Sequence, residues 1–372
     1  MAWSDDVVTY RRALHRIPEL AFQEEATRDY LEEHLTGLGL APRRAGGTGL
    51  VVDIAGQRPG PCLAIRADMD GLPLTEETGL NFASEHPGIM HACGHDGHMA
   101  IVLALADRLV AEPMFSGTVR LIFQPAEERP PGGAQRLIAE GALDGVDEIY
   151  GLHLWADFPV GVAGIKEGAM MANADQFTVR IQGKGGHGSQ PEATQDAVLI
   201  AAQTVVNLQT VVSRRVPPLE PAVVSCGTIH GGQTFNIIAE TAEITGTVRT
   251  LSMDTQRLIE EEIRRIAQGT AALYGAQAEL IYDKGYPAVL NHERAVAIWK
   301  ERLRGLVEVI RPQPSMGGED FAYYLQQRPG AFLFLGAKPG HGTAFPHHSP
   351  HFVIDERALP LGVEVFYRLI CA

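Results

Sequence analysis

The chain of 372 residues carries only four cysteines, Cys62, Cys93, Cys226 and Cys371, and they lie far apart. That spacing excludes the dense disulfide framework of a small secreted domain. No uninterrupted apolar run reaches about eighteen residues, so no membrane-spanning helix is expected. The first residues have neither the basic nor the apolar stretch of a secretory leader, and the expected location is cytoplasmic. Positive charge is also scarce: 31 Lys and Arg stand against 45 Asp and Glu, for a formal charge of -14. This deficit argues against a nucleic-acid partner and against docking on an anionic membrane.

What the chain does have is an ordinary globular composition, 45% hydrophobic and 20% charged, in a length that favours two domains over one core. Its densest chemistry is the stretch Met90-His-Ala-Cys-Gly-His-Asp-Gly-His98, followed by the apolar helical run Ala100 to Val110. Cysteine and histidine are ligands for zinc, nickel, cobalt or manganese. The alternation Cys93-x-His95, read as a loop before the helix, lets neighbouring side chains converge on one point. The plain alternative is a helix start decorated with polar residues.

The remaining pattern alternates strands with helices. Helices are expected over 5–16 and 24–38, with strands at 49–55 and 62–67. The second strand runs into Asp68 and Asp70. A further strand, 117–124, ends in Glu127-Glu128, and 146–152 ends in His153. Such alternation predicts an α/β fold with a mostly parallel-stranded sheet and flanking helices. Ligands of these sheets gather beyond the carboxyl ends of the strands, where all of these polar residues fall. The middle of the chain changes character and reads β-α-β-β-α-β, the split pattern of a ferredoxin-like α+β unit. The expected division is 1–172 and 290–372 for a catalytic metal-binding domain, with 173–289 inserted.

Adjacent carboxylates such as Glu127 and Glu128 disfavour double ionisation unless a cation is near or one keeps its proton. A metal would engage one and leave the other to accept a proton from water. His153 alone reads as a core histidine, but in a strand-end set it becomes a candidate ligand. One of Asp68 and Asp70 could orient a ligating histidine. His347 or His348, in His347-His-Ser-Pro-His-Phe352, could close the coordination sphere. Two competing readings are weaker. Gly183 to Ser189 lacks the required order of a phosphate loop. A nucleophilic Cys93 would leave the carboxylate pair without a role.

These residues fall in segments that resemble the dinuclear metallo-aminoacylase and carboxypeptidase family. Within it, the likeness is to the amidohydrolase branch of hippurate hydrolase, N-acyl-amino-acid hydrolases and plant auxin-conjugate hydrolases. The resemblance runs from His15-Arg-Ile-Pro-Glu-Leu20 to the His-Ser-Pro-His-Phe segment. In between come Arg66-Ala-Asp-Met-Asp-Gly-Leu-Pro73, His91-Ala-Cys-Gly-His-Asp96, Gln124-Pro-Ala-Glu-Glu128, Gly151-Leu-His153, Gly186-His-Gly188 and Gly318-Glu-Asp-Phe321. The resemblance implies one or two divalent ions (Zn, Mn, Ni or Co) held by Cys93, His95, Glu128, His153 and His348, with Glu127 as general base. Asp70 matches an aspartate that orients a ligand. Asp68 stands where more distant relatives place a histidine ligand, and Cys93 compensates for it in this branch.

The same resemblance makes the inserted domain a lid and dimerisation surface. His187 is then expected at the reacting carbonyl, and Asn236 and Arg249 at the substrate carboxylate. The implied activity is hydrolysis of an N-acyl amino acid, a small-molecule substrate, by a homodimer or higher homo-oligomer. A dipeptidase or carboxypeptidase using the same site, and a catalytically silent metal-binding scaffold, are the alternatives.

Overall fold

Short apolar runs become strands, because each is too brief to bury a helix face but long enough to cross a sheet. A computed structural model describes residues 2–340 and 344–371. Its contacts divide the chain into two compact units. The larger comprises Met1–Met170, Val289–Gln313 and Asp320–Ala372; the smaller comprises Met171–Ala288 together with Pro314–Glu319.

The larger unit is built on an eight-stranded sheet. Its first strands are β1 (Arg43–Ala45), β2 (Gly49–Ala55), β3 (Arg58–Asp68), β4 (Ser116–Gln124) and β5 (Glu148–Pro159). Strands β4, β3 and β5 lie side by side and parallel, and Gly330–Lys338 continues the parallel run beyond β5. Antiparallel β1 and β2 extend one side, and the short strands Val162–Gly164 and Glu308–Ile310 extend the other. Helices α1 (Ala2–Arg16), α2 (Glu25–Gly37) and α3 (His95–Ala111) pack with the C-terminal helix Ala358–Ile370 over this sheet.

Helix α3 is apolar all round, as a helix enclosed by its neighbours must be, and every residue from His95 to Ala106 is buried. It starts at His95, five residues before the apolar run. His95, Asp96 and His98 therefore stand in its first turn rather than on a loop. Gly94 precedes it with φ 100°, a conformation that glycine adopts without penalty. At Gly97 a Cβ would sit 2.5 Å from Leu154 Cδ1, so glycine lets the start of α3 press against β5.

The smaller unit has an antiparallel sheet in the order Ala222–Gly231, Thr241–Thr250, Asn173–Gln182, Gln277–Tyr286. Helices Ala197–Thr210 and Met253–Leu273 connect these strands in a β-α-β-β-α-β sequence, the ferredoxin-like pattern. Strand Asn173–Gln182 alternates strictly between buried and less buried positions through Gln182. Phe177, Val179 and Ile181 pack with Ile200, Leu208, Ile259 and Ile263. Asp196 caps the first helix by accepting from the Val198 and Leu199 amides, and Ser252 caps the second. Among the described residues no helix is long and apolar enough to cross a membrane.

Candidate metal centre

The parallel strands deliver their polar residues to one end of the larger unit. Asp68 ends β3, and β4 stops at Gln124 just before the turn that carries Glu127 and Glu128. His153 lies on β5 two residues after Gly151, its last position paired with β3. Gly94 then turns the chain so that Cys93 precedes, and His95 opens, α3.

The potential ligand atoms of Cys93, His95 and His153 lie within 4.8 Å of one another, as do those of Cys93, Glu128 and His348, and those of His95, Glu127 and Glu128. Cys93 Sγ is 3.4 Å from His153 Nε2. His348 Nε2 is 3.1 Å from Glu128 Oε1. Neighbouring His347 instead accepts the Ala156 amide on Nε2, at 3.3 Å, and its Nδ1 stands 4.0 Å from Cys93 Sγ. All five sequence-predicted ligands, and Glu127 beside them, therefore meet in one place. Asp68, His95 and His98 form a further group of this kind.

The His153 and His95 rings are each aimed by a partner on the far side. His153 Nδ1 donates to the Leu154 carbonyl at 2.8 Å, leaving Nε2 toward Cys93. His95 Nδ1 donates to the Asp70 carbonyl at 2.9 Å, with Asp70 Oδ1 3.4 Å away. Its Nε2 is buried and has no hydrogen-bond partner. A buried imidazole nitrogen left bare in a ring of sulfur, nitrogen and carboxylate oxygen is suited to a divalent cation. The donor set fits such an ion, and the outer hydrogen bonds match how metal-ligating histidines are oriented.

The electrostatics agree with that fit. Burial opposes protonation of His95, but Asp68, Asp70 and Glu128 surround it and push it up to about 10. Burial, then Glu128, Glu127 and Asp68, hold the Cys93 thiol well above its usual range. A nucleophilic cysteine needs the opposite shift. The pocket is short of positive charge, and a cation is what would stabilise both the thiolate and the carboxylates.

Asp70 has a second task. Its Oδ1 accepts the Glu127 amide at 2.9 Å and its Oδ2 accepts the Glu128 amide at 3.0 Å, so one carboxylate grips the turn that presents both acids. Asp68 is engaged by Arg66 Nη1 at 2.6 Å and His98 Nδ1 at 2.6 Å. His98 Nε2 in turn accepts the Leu154 amide at 2.9 Å. His98 belongs to the cluster singled out in the sequence but carries no role there. Its spacing of three from His95 on a helix was the available signal.

His187, Asn236 and Arg249 belong to the smaller unit. His187 lies in a two-stranded ribbon opposite Ile237, and the Gly188 amide donates to the Asn236 carbonyl at 2.8 Å. His187 Nδ1 meets the Ser189 hydroxyl at 2.7 Å. Arg249, on the strand Thr241–Thr250, donates to Thr247 Oγ1 and to the Val248 carbonyl.

Residues 64–372 match the Peptidase family M20/M25/M40. The chain is 45% identical over 291 residues to the N-acyl-L-amino acid amidohydrolase of Geobacillus stearothermophilus, covering 77% of this chain and 78% of the relative. It is 41% identical over 356 residues to the N-acetyl-L-cysteine deacetylase of Bacillus subtilis (strain 168), covering 95% of this chain and 84% of the relative. A crystal structure of Bacillus subtilis YXEP, described as a dinuclear metal binding peptidase from the M20 family, superposes with a TM-score of 0.88 at 37% identity. That match covers 99% of this chain and 97% of the other. By its sequence and its fold, the chain belongs to peptidase family M20/M25/M40.

Proposed function

We propose that the protein is a metal-dependent amidohydrolase that cleaves N-acyl amino acids, hippurate-like substrates among them, to a carboxylate and a free amino acid. The observation that carries this reading is the bare, buried Nε2 of His95 among Cys93, Glu127 and Glu128. The N-acyl substrates in the names of two relatives support the substrate class. Four unpaired thiols fit a reducing, cytoplasmic setting.

Cys93, His95, Glu128, His153 and His348 would hold one or two divalent ions (Zn, Mn, Ni or Co). Such an ion, when bound, supplies Lewis acidity and lowers the pKa of water. Glu127 takes the proton of the attacking water and passes it to the leaving amine. Asp70 keeps the turn bearing Glu127 in place. From the smaller unit, His187 donates to the developing oxyanion. Arg249 and Asn236 bind the substrate carboxylate, Arg249 through its fork of donors, and so orient the scissile amide. The smaller unit, 173–289 in the sequence reading, serves as lid and as the surface through which a homodimer or higher homo-oligomer forms.

The test is a panel of N-acyl amino acids and dipeptides, assayed after chelation and after metal add-back. Release of free amino acid should stop on chelation, return with a divalent ion, and be fastest from acyl substrates. Chelator-insensitive release would overturn the metal reading. A preference for dipeptides would replace it with the peptidase alternative, and no turnover of any substrate would leave a silent scaffold.

A further inference from the structure

Backbone strain beside the site traces to one side chain outside the donor set. Among the described residues, three non-glycine residues hold φ in the left-handed region: Phe22 (62°), Ala126 (56°) and His348 (65°). That region is unfavourable for any residue with a Cβ and persists only where the surroundings impose it. Two of the three donate their amides to the same atom. Glu24 Oε1 accepts the Phe22 amide at 3.0 Å and the Ala126 amide at 2.9 Å. Glu24 Oε2 accepts the Thr48 hydroxyl. The Glu24 residue is fully buried.

Ala126 directly precedes Glu127, so its φ sets the direction in which the following carboxylates leave the chain. Asp70 already grips the next two amides. Those bonds fix the far half of the turn and leave the Ala126 peptide free to relax toward an ordinary φ. An acceptor on the Ala126 amide blocks that relaxation. It comes from a residue 102 positions away in sequence, at the start of α2, so α2 and the turn are locked together. We propose that Glu24 is a positioning residue: by clamping the Phe22 and Ala126 amides it holds the left-handed turn that aims Glu127. The inference rests on Glu127 being the base.

Three variants and one exchange measurement test it. Glu24→Met should lower kcat for an N-acyl amino acid on the order of a hundredfold, as a misaimed catalytic group does. KM should stay within about threefold, because what is lost is aim in the transition state rather than substrate binding. Hydrogen exchange of the peptide spanning 125–128 should quicken in the same variant. Glu24→Gln should stay within about fivefold of wild type, since its carboxamide oxygen still accepts both amides and its NH₂ still faces Thr48. Glu127→Gln, inactive, is the reference. A Glu24→Met enzyme at wild-type kcat beside an inactive Glu127→Gln overturns the proposal and leaves the base intact. Equal losses in Glu24→Met and Glu24→Gln also overturn it. An active Glu127→Gln removes the underlying reading, and the exchange result then decides the clamp alone. If Glu24→Met does not fold, the wild-type protein carries the test: a protected Ala126 amide is expected, and an unprotected one overturns the clamp.

Discussion

The candidate metal ligands and the residues proposed to bind substrate in the smaller unit are organised in different ways. In the larger unit His95 and His153 are buried together with Asp68, Asp70 and His98, and their orientations are fixed by partners drawn from several strands and helices. Of the other candidate ligands, Glu128 is half-buried and His348 is exposed. In the smaller unit His187 and Asn236 are exposed and Arg249 is only partly covered. The side-chain partners found there for His187 and Arg249 are two residues away in sequence, Ser189 and Thr247. The first arrangement is preorganised: partners on its buried side hold its geometry before substrate arrives. The second is adaptable, and suits residues that must take hold of a ligand and release it.

The sharpest way to break this comparison is Glu127→Gln. Turnover should fall by roughly a hundred- to ten-thousandfold, the range for a general base, while metal content by elemental analysis stays at the wild-type level. Loss of metal in that variant would make Glu127 a ligand instead of a base. Next is Asp96→Asn, which probes how far the larger unit depends on buried charge. Arg11 Nε meets Asp96 Oδ2 at 2.8 Å with both side chains almost wholly enclosed, and His15 Nδ1 meets the same oxygen at 2.8 Å. Removing the charge breaks this buried pair and leaves Arg11 with Glu356 alone, which takes its Nη1 at 3.0 Å, at a cost of about 3 kcal/mol in denaturant unfolding.

The pH dependence follows from the same group. Burial would raise the Asp96 pKa, but Arg11 and His15 outweigh it and hold it far below 3.8. A lowered folded pKa means that this contribution is present above pH 3.8 and is lost as the pH falls toward the folded value. The wild-type protein should therefore lose stability on that acid side, and Asp96→Asn should flatten the limb.

The smallest effect is expected in the smaller unit. Arg249→Ala removes charge-assisted bonds of about 1.5–3 kcal/mol, or roughly ten- to a hundredfold in kcat/KM. The loss should fall mainly on KM, with unfolding unchanged, because Arg249 is partly exposed and makes only local bonds. A drop in stability equal to that of Asp96→Asn would erase the contrast between the two regions.

The strands and the ferredoxin-like pattern were legible because apolar periodicity and turn residues act over short distances. The donor set was legible for a related reason: parallel strands deposit their final residues at one edge, so motifs far apart in sequence share a location. What stayed hidden depends on long-range pairing. The start of α3 reads as a polar loop because His95, Asp96 and His98 are polar, yet the partners of Asp96 and His98 are Arg11, His15 and Asp68 inside the fold. Asp68 and Asp70 read alike as candidates to orient a histidine, and only the fold shows Arg66 and His98 occupying both oxygens of Asp68. Glu24 reads as the charged first residue of an amphipathic helix. Nothing local reveals that its carboxylate reaches the Ala126 amide. The role proposed for Arg249 needed the family resemblance, since a strand arginine beside solvent carries no signal of its own.

The proposed activity depends on Cys93, His95, Glu128, His153 and His348 binding a metal, with Cys93 as a thiolate. The direct measurement is the absorption spectrum of the cobalt-substituted protein. Wild type should show a thiolate-to-cobalt charge-transfer band, and Cys93→Ser, with cobalt still bound, should lack it. A cobalt-loaded wild-type protein without that band, or a Cys93→Ser variant that keeps it, would contradict the assignment.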